Sequence, residues 1–157
     1  MVWGCPRSSR SLNKFRTRSD CLKFFFDASI SHRIPTAINA LKEDIETPQS
    51  KSEILHLREK FKSNVDDYDW LNTLVLEGGW VVVSADTRIT RNELQKKIWR
   101  EKKIILFVLE KGWRGQKLWD IAWRLVRVWP DILKTAKKAK PGTAYKISVH
   151  CKVVQLA

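Results

Sequence analysis

The run Trp80-Val81-Val82-Val83-Ser84, followed at once by Ala85-Asp86, constrains the fold more than any other segment. A stretch this apolar and β-branched lacks the alternation of a strand wetted on one face, so it belongs inside a sheet covered on both sides. Such sheets are parallel, and parallel neighbours need crossover connections, usually helices. The run also stops on a carboxylate, which places Asp86 where a buried strand meets solvent at its carboxyl end.

The same pattern occurs near the beginning, where Lys23-Phe24-Phe25-Phe26 runs directly into Asp27. Ser31 can cap a following helix, Pro35 is tolerated in its first turn, and Ile34, Ile38 and Leu41 fall on one face. A strand at 53–57, a helix at about 67–76 that stops at Gly78-Gly79, a charged helix at about 91–101, a strand at 104–109 and a long helix at about 116–139 follow. Pro141-Gly142 then signals a turn before a final strand near 145–154, positioned to return along a sheet edge. Strands alternating with helices predict one α/β domain over 23–157 with a mostly parallel central sheet. Residues 1–22, rich in Ser and Arg and without periodicity, read as a basic flexible extension.

Asp27 and Asp86 both fall where open parallel sheets bind ligands, beyond the carboxyl ends of strands near the switch point. If their strands are neighbours, the backbones lie roughly 4.8 Å apart, and the two carboxylates can share one divalent ion. A hard cation, Mg²⁺ or Mn²⁺, prefers such oxygen ligands and is commonly completed by waters and substrate phosphates. Asp66, Asp67 and Asp69 open the middle helix, where carboxylates also serve as caps and dipole partners. Glu93 lies further along, at the start of a charged helix. Aspartates also end strands for conformational reasons alone, so the pairing of Asp27 with Asp86 on two apolar strands carries the reading.

Charge agrees with an anionic partner. The chain has 30 Lys and Arg against 17 Asp and Glu, and residues 111–157 hold eleven Lys and Arg against two Asp. Eight tryptophans include Trp113, Trp119, Trp123 and Trp129 around the long helix. Exposed, they would stack bases; Trp119 and Trp123, four residues apart among Leu118, Ile121 and Leu125, are expected instead to pack in the core or at a partner interface. No apolar window is long enough for a membrane helix and no secretory signal is evident, so a cytoplasmic protein is expected. Cys5, Cys21 and Cys151 suggest neither a disulfide framework nor a zinc site, and His32, His56 and His150 have no metal-ligand spacing. The glycine pair precedes a strand, which disfavours a phosphate-cradling loop.

Phe24-Phe25-Phe26-Asp27, Asp67-Tyr68-Asp69-Trp70-Leu71, Gly79 through Asp86 and Arg91-Asn92-Glu93, taken in order, resemble the PIN-like toxins of the VapC kind. The tail, with Gly112-Trp113, residues 125–130 and Pro141-Gly142 before Tyr145-Lys146-Ile147, is similar as well. The resemblance implies a three-layer α/β/α sandwich, a divalent-metal endoribonuclease, and the toxin of a toxin–antitoxin pair held by a protein antitoxin. Residue by residue it implies Asp27 as the first-strand aspartate, Asp67 or Asp69 as that of the middle helix, and Asp86 as that after the central strand. Asp67 is favoured because it precedes Trp70 by three positions. Catalysis would rest on Asp27, Asp67 and Asp86, with Asp69 as a further metal ligand.

Ala28 and Thr87-Arg88 stand where relatives often carry polar and acidic residues, so the fourth ligand is open. RNA, an antitoxin and a second copy of the chain are the partners this reading admits; a membrane is not. Two rival readings are a catalytically silent PIN-like module that binds RNA or protein, and a receiver-like domain that accepts a phosphoryl group.

Overall fold

The computed structural model describes residues 21–156. Its elements are β1 (Leu22–Phe26), α1 (Arg33–Leu41), β2 (Ser52–His56), α2 (Leu57–Lys60), α3 (Asp67–Glu77), β3 (Trp80–Ser84), α4 (Arg88–Arg91), α5 (Glu93–Glu101), β4 (Ile105–Leu109), α6 (Leu118–Lys138), β5 (Ala144–Ile147) and β6 (Val153–Gln155). The sheet order is β2-β1-β3-β4-β5-β6, parallel throughout except for β6, which pairs antiparallel with β5. This is the expected three-layer α/β/α architecture. The expected extension at 1–22 lies almost wholly outside the described residues, and β1 begins at Leu22, one residue before the expected boundary.

Consecutive strand residues point to opposite faces, and the three phenylalanines of β1 show what that does here. Phe24 and Phe26 enter the layer formed with α1 and α6, where Ile34, Ile38, Leu125, Trp129 and Ile132 meet them. Phe25 enters the other layer, against Trp70 and Leu74 of α3, Trp99 of α5 and Trp80 and Val82 of β3. All three are fully buried, so one pentapeptide contributes to both hydrophobic layers. Trp129 packs on Phe24 at 4.7 Å and on Phe26 at 5.8 Å between ring centroids, which fastens α6 to the strand that carries Asp27.

Two local features depart from the sequence reading. The expected last strand is a hairpin, β5 and β6, whose reversal needs Cys151 at φ +59°; no glycine or proline marks it. A short helix, α2, also follows β2 directly. His56 ends the strand and caps that helix: its Nδ1 accepts from the Arg58 N–H at 3.1 Å, and Glu59 accepts from the His56 N–H at 3.1 Å. Nε2 must then carry the proton, and it donates to the Ile30 carbonyl at 2.7 Å, pinning the loop that follows Asp27. His56→Ala removes the cap and leaves that carbonyl unpaired, with an expected loss of about 2 kcal/mol in urea-unfolding free energy; an unchanged unfolding midpoint would contradict this role.

Candidate acidic site

The switch point lies between β1 and β3, because the chain leaves β1 toward β2 on one side and returns beyond it to β3 on the other. Asp27 follows β1 immediately, and its N–H donates to the Val83 carbonyl at 3.2 Å, continuing the β1–β3 ladder by one residue. The residue is 8% exposed. Oδ1 accepts from the Ser29 N–H at 3.0 Å and from the Ser29 hydroxyl. Ser29 Oγ in turn accepts from the Ala85 N–H at 2.8 Å and lies 3.3 Å from Ser84 Oγ, which accepts from the Asp86 N–H at 3.0 Å. A run of short polar groups therefore stitches Asp27 to Asp86 across the two strand ends.

The two carboxylates experience opposite environments. Burial pushes Asp27 up from its ordinary value, partly offset by hydrogen bonds from Ser29 and Ser84, and the charge of Asp86 adds to the rise. Asp86 is held below its ordinary value, first by hydrogen bonds from the Arg88 side chain and then by its backbone N–H and the charges of Arg88 and Arg114, with burial opposing. The Arg88 guanidinium reaches both oxygens of Asp86, Nη2 to Oδ2 at 2.8 Å and Nε to Oδ1 at 3.0 Å. Asp67 also acts on Arg88 through space.

These groups open onto a cleft of about 520 Å³ lined by Asp27, Asp66, Asp67, Asp86, Arg88 and Gln95, among others. Asp66 caps α3 through the Tyr68 N–H at 2.8 Å, and Asp67 accepts from Trp70 Nε1 at 3.1 Å. Of the residues expected at the site, the fold brings Asp27, Asp67 and Asp86 to one cleft. Asp69 is exposed and does not line it, and Glu93 pairs with Lys96 at 3.0 Å outside it. Ser29, Ser84, Arg88 and Gln95 are not among the residues the sequence assigns to the site. Ser29, two residues after Asp27, had a signal, since a hydroxyl at that offset readily closes a turn on an aspartate; the other three are brought in by tertiary packing.

The donor set is one of carboxylate oxygens, to which Gln95 adds Oε1, buried without a hydrogen-bond partner. In chemistry this fits a hard divalent cation, which needs only one or two protein carboxylates. In arrangement, no three His, Cys, Asp or Glu side chains among the described residues converge as a metal group, and Arg88 occupies both oxygens of Asp86. Asp27 and Asp86 would hold the ion once Arg88 yields.

A doubly wound α/β domain with an acidic cleft at its switch point is the class this fold and site define. The family model described as a PIN like domain matches residues 22–111, more than half of the chain, and the chain belongs to that family. The match spans β1 to just beyond β4, and so includes Asp27, Asp67 and Asp86 but not the tail features that prompted the wider resemblance. No curated protein and no solved structure matches. PIN-like domains are often nucleases and commonly use divalent metal ions. No helix among the described residues is long and apolar enough to cross a membrane.

Proposed function

We propose that this protein is a metal-dependent endoribonuclease that hydrolyses RNA phosphodiester bonds, and that it serves as the toxin of a toxin–antitoxin pair. The supporting observation is the hydrogen-bonded link from Asp27 through Ser29 and Ser84 to Asp86, which sets two carboxylates of different basicity side by side at the mouth of one cleft. Mg²⁺ or Mn²⁺ bound there would polarise the scissile phosphate and supply an activated water. The chain's own residues hold and orient: Ser29 fixes the Asp27 carboxylate, and Arg88 and Arg114 bring positive charge beside Asp86, where an anionic phosphodiester must approach.

Purified protein is expected to cut single-stranded RNA in Mg²⁺ or Mn²⁺, to stop in EDTA, and to lose cutting on Asp86→Asn. Intact RNA in all metal conditions would overturn the nuclease reading. The bidentate Arg88 contact favours a second reading, a silent PIN-like module in which the guanidinium serves as a permanent counter-ion. That module would bind RNA without cutting it, and calorimetric Mn²⁺ titration would give no heat.

A further inference from the structure

A second cleft, of about 400 Å³, adjoins the acidic one and shares Ser29 with it. Its floor is apolar, from Ile34, Leu109, Leu118 and Ile121, and Arg114 and Gln116 supply its polar edge. Arg114 stands between the clefts: its Nη2 lies 3.4 Å from Thr87 Oγ1, and its charge acts on Asp86. The one carboxylate in the lining, Glu110, is already engaged, accepting from the Val149 N–H at 3.0 Å and lying 3.9 Å from Lys146 Nζ. The cleft is therefore apolar below, with Arg114 as the cation of its lining, and it is built largely on the segment 111–157, which holds eleven Lys and Arg against two Asp.

Trp119, between Leu118 and Ile121 in the chain, is 79% exposed, and Trp123 one turn on is 42% exposed with the Arg124 guanidinium 5.0 Å from its ring centroid. Of the two roles expected for both, core packing and a partner interface, the core is ruled out: α6 gives its buried face to Leu125, Val128, Trp129 and Ile132 instead. An exposed indole next in the chain to a cleft residue, Leu118, on a basic segment with Arg114 in the cleft, is the combination that binds unpaired bases by stacking and their phosphates by charge.

We propose that this second cleft, together with Trp119, binds the single-stranded RNA flanking the phosphodiester that enters the acidic cleft. The inference rests on the proposed RNA substrate but not on cleavage. A strand crossing Ser29 would place neighbouring nucleotides in the two clefts, with Arg114 at the phosphate between them. A protein partner at the same surface is the competing occupant, and the excess of eleven Lys and Arg over two Asp in residues 111–157 favours RNA.

The test is fluorescence anisotropy with a labelled, unstructured oligoribonucleotide of about 12 nucleotides, in EDTA so that no cutting occurs. Trp119→Ala is expected to weaken binding about 10-fold. Arg114→Ala is expected to weaken it and to lower the salt slope by about one. Lys140→Ala, on the turn before β5, should leave affinity near wild type. Since Trp119 is exposed, circular dichroism should be unchanged. Wild-type affinity in both Trp119→Ala and Arg114→Ala overturns the proposal, as does an equal loss in Lys140→Ala, and either result leaves the surface to a protein partner. RNA cut in Mg²⁺ while both variants bind it like wild type would overturn this cleft alone; RNA bound through Trp119 and never cut would overturn the nuclease and keep the cleft.

Discussion

Asp27→Asn is expected to abolish RNA cleavage and, in the same protein without divalent metal, to raise thermal stability at neutral pH. The first effect should exceed about 100-fold, the upper end of what losing even a supporting group of a metal site costs. The second follows from proton linkage. Burial raises the Asp27 pKa in the folded state above its ordinary value, so the folded protein holds this proton more tightly than the unfolded chain. The resulting stabilisation is fully present below the unfolded value and is lost as pH rises through the folded value. At neutral pH, above the unfolded value, burial of this carboxyl group costs stability that a neutral side chain does not, and asparagine removes that cost while its Oδ1 can still accept from Ser29. Asp86 has the opposite sign: its pKa is lowered by Arg88, so its contribution is present above the unfolded value and is lost as pH falls through the folded one. Asp86→Asn should therefore lower neutral-pH stability, again with activity lost. Thermal melts of the two variants in EDTA across pH check this; an Asp27→Asn midpoint at or below wild type at neutral pH would contradict it. A merely structural Asp27 would lose stability with activity, whereas a buried functional carboxylate trades one against the other.

How far this site was legible follows from which of its parts are local. Asp27 and Asp86 could be read because each ends a short apolar run, and a buried strand has to surface somewhere. Asp67 could be ranked above Asp69 only through its spacing from Trp70, and the structure gives that spacing a physical content in the Trp70 Nε1 bond to Asp67. Arg88 could not be read as a partner of Asp86: a basic residue two positions on is ordinary in a turn, and the bidentate contact depends on how the chain bends into α4. Trp119 and Trp123, expected in the core or at a partner interface, are kept from the core for a related reason. Their spacing with Leu118, Ile121 and Leu125 is that of a buried helical face, but α6 uses the face of Leu125, Val128 and Trp129, and periodicity alone does not say which of two overlapping apolar stripes wins. His56, a strand residue by sequence, becomes a cap because the helix after it starts without a linker.

Trp129→Ala should cost about 3–5 kcal/mol, the largest single loss expected in this domain. The side chain is 1% exposed and fills the space between α6 and β1 against both Phe24 and Phe26. Removing it leaves a cavity that neither element can close without moving, because β1 is paired on both edges, to β2 and to β3. Trp129→Phe should cost much less than its lost volume suggests. Trp129 Nε1 is buried without a hydrogen-bond partner, so the native indole already carries a desolvation penalty of about 1–3 kcal/mol, and phenylalanine relieves it while keeping a ring against the two phenylalanines. Urea unfolding of both variants measures this: an alanine loss below about 2 kcal/mol would show that the layer collapses around the gap. The function should respond as well, since Phe26 directly precedes Asp27. A loosened β1 terminus disturbs the Asp27 N–H bond to Val83 and with it the register of the two carboxylates. Trp129→Ala assayed well below its melting midpoint should therefore retain fold by circular dichroism yet cut RNA more slowly, which places the requirement for this tryptophan in the positioning of Asp27 as well as in the stability of the core.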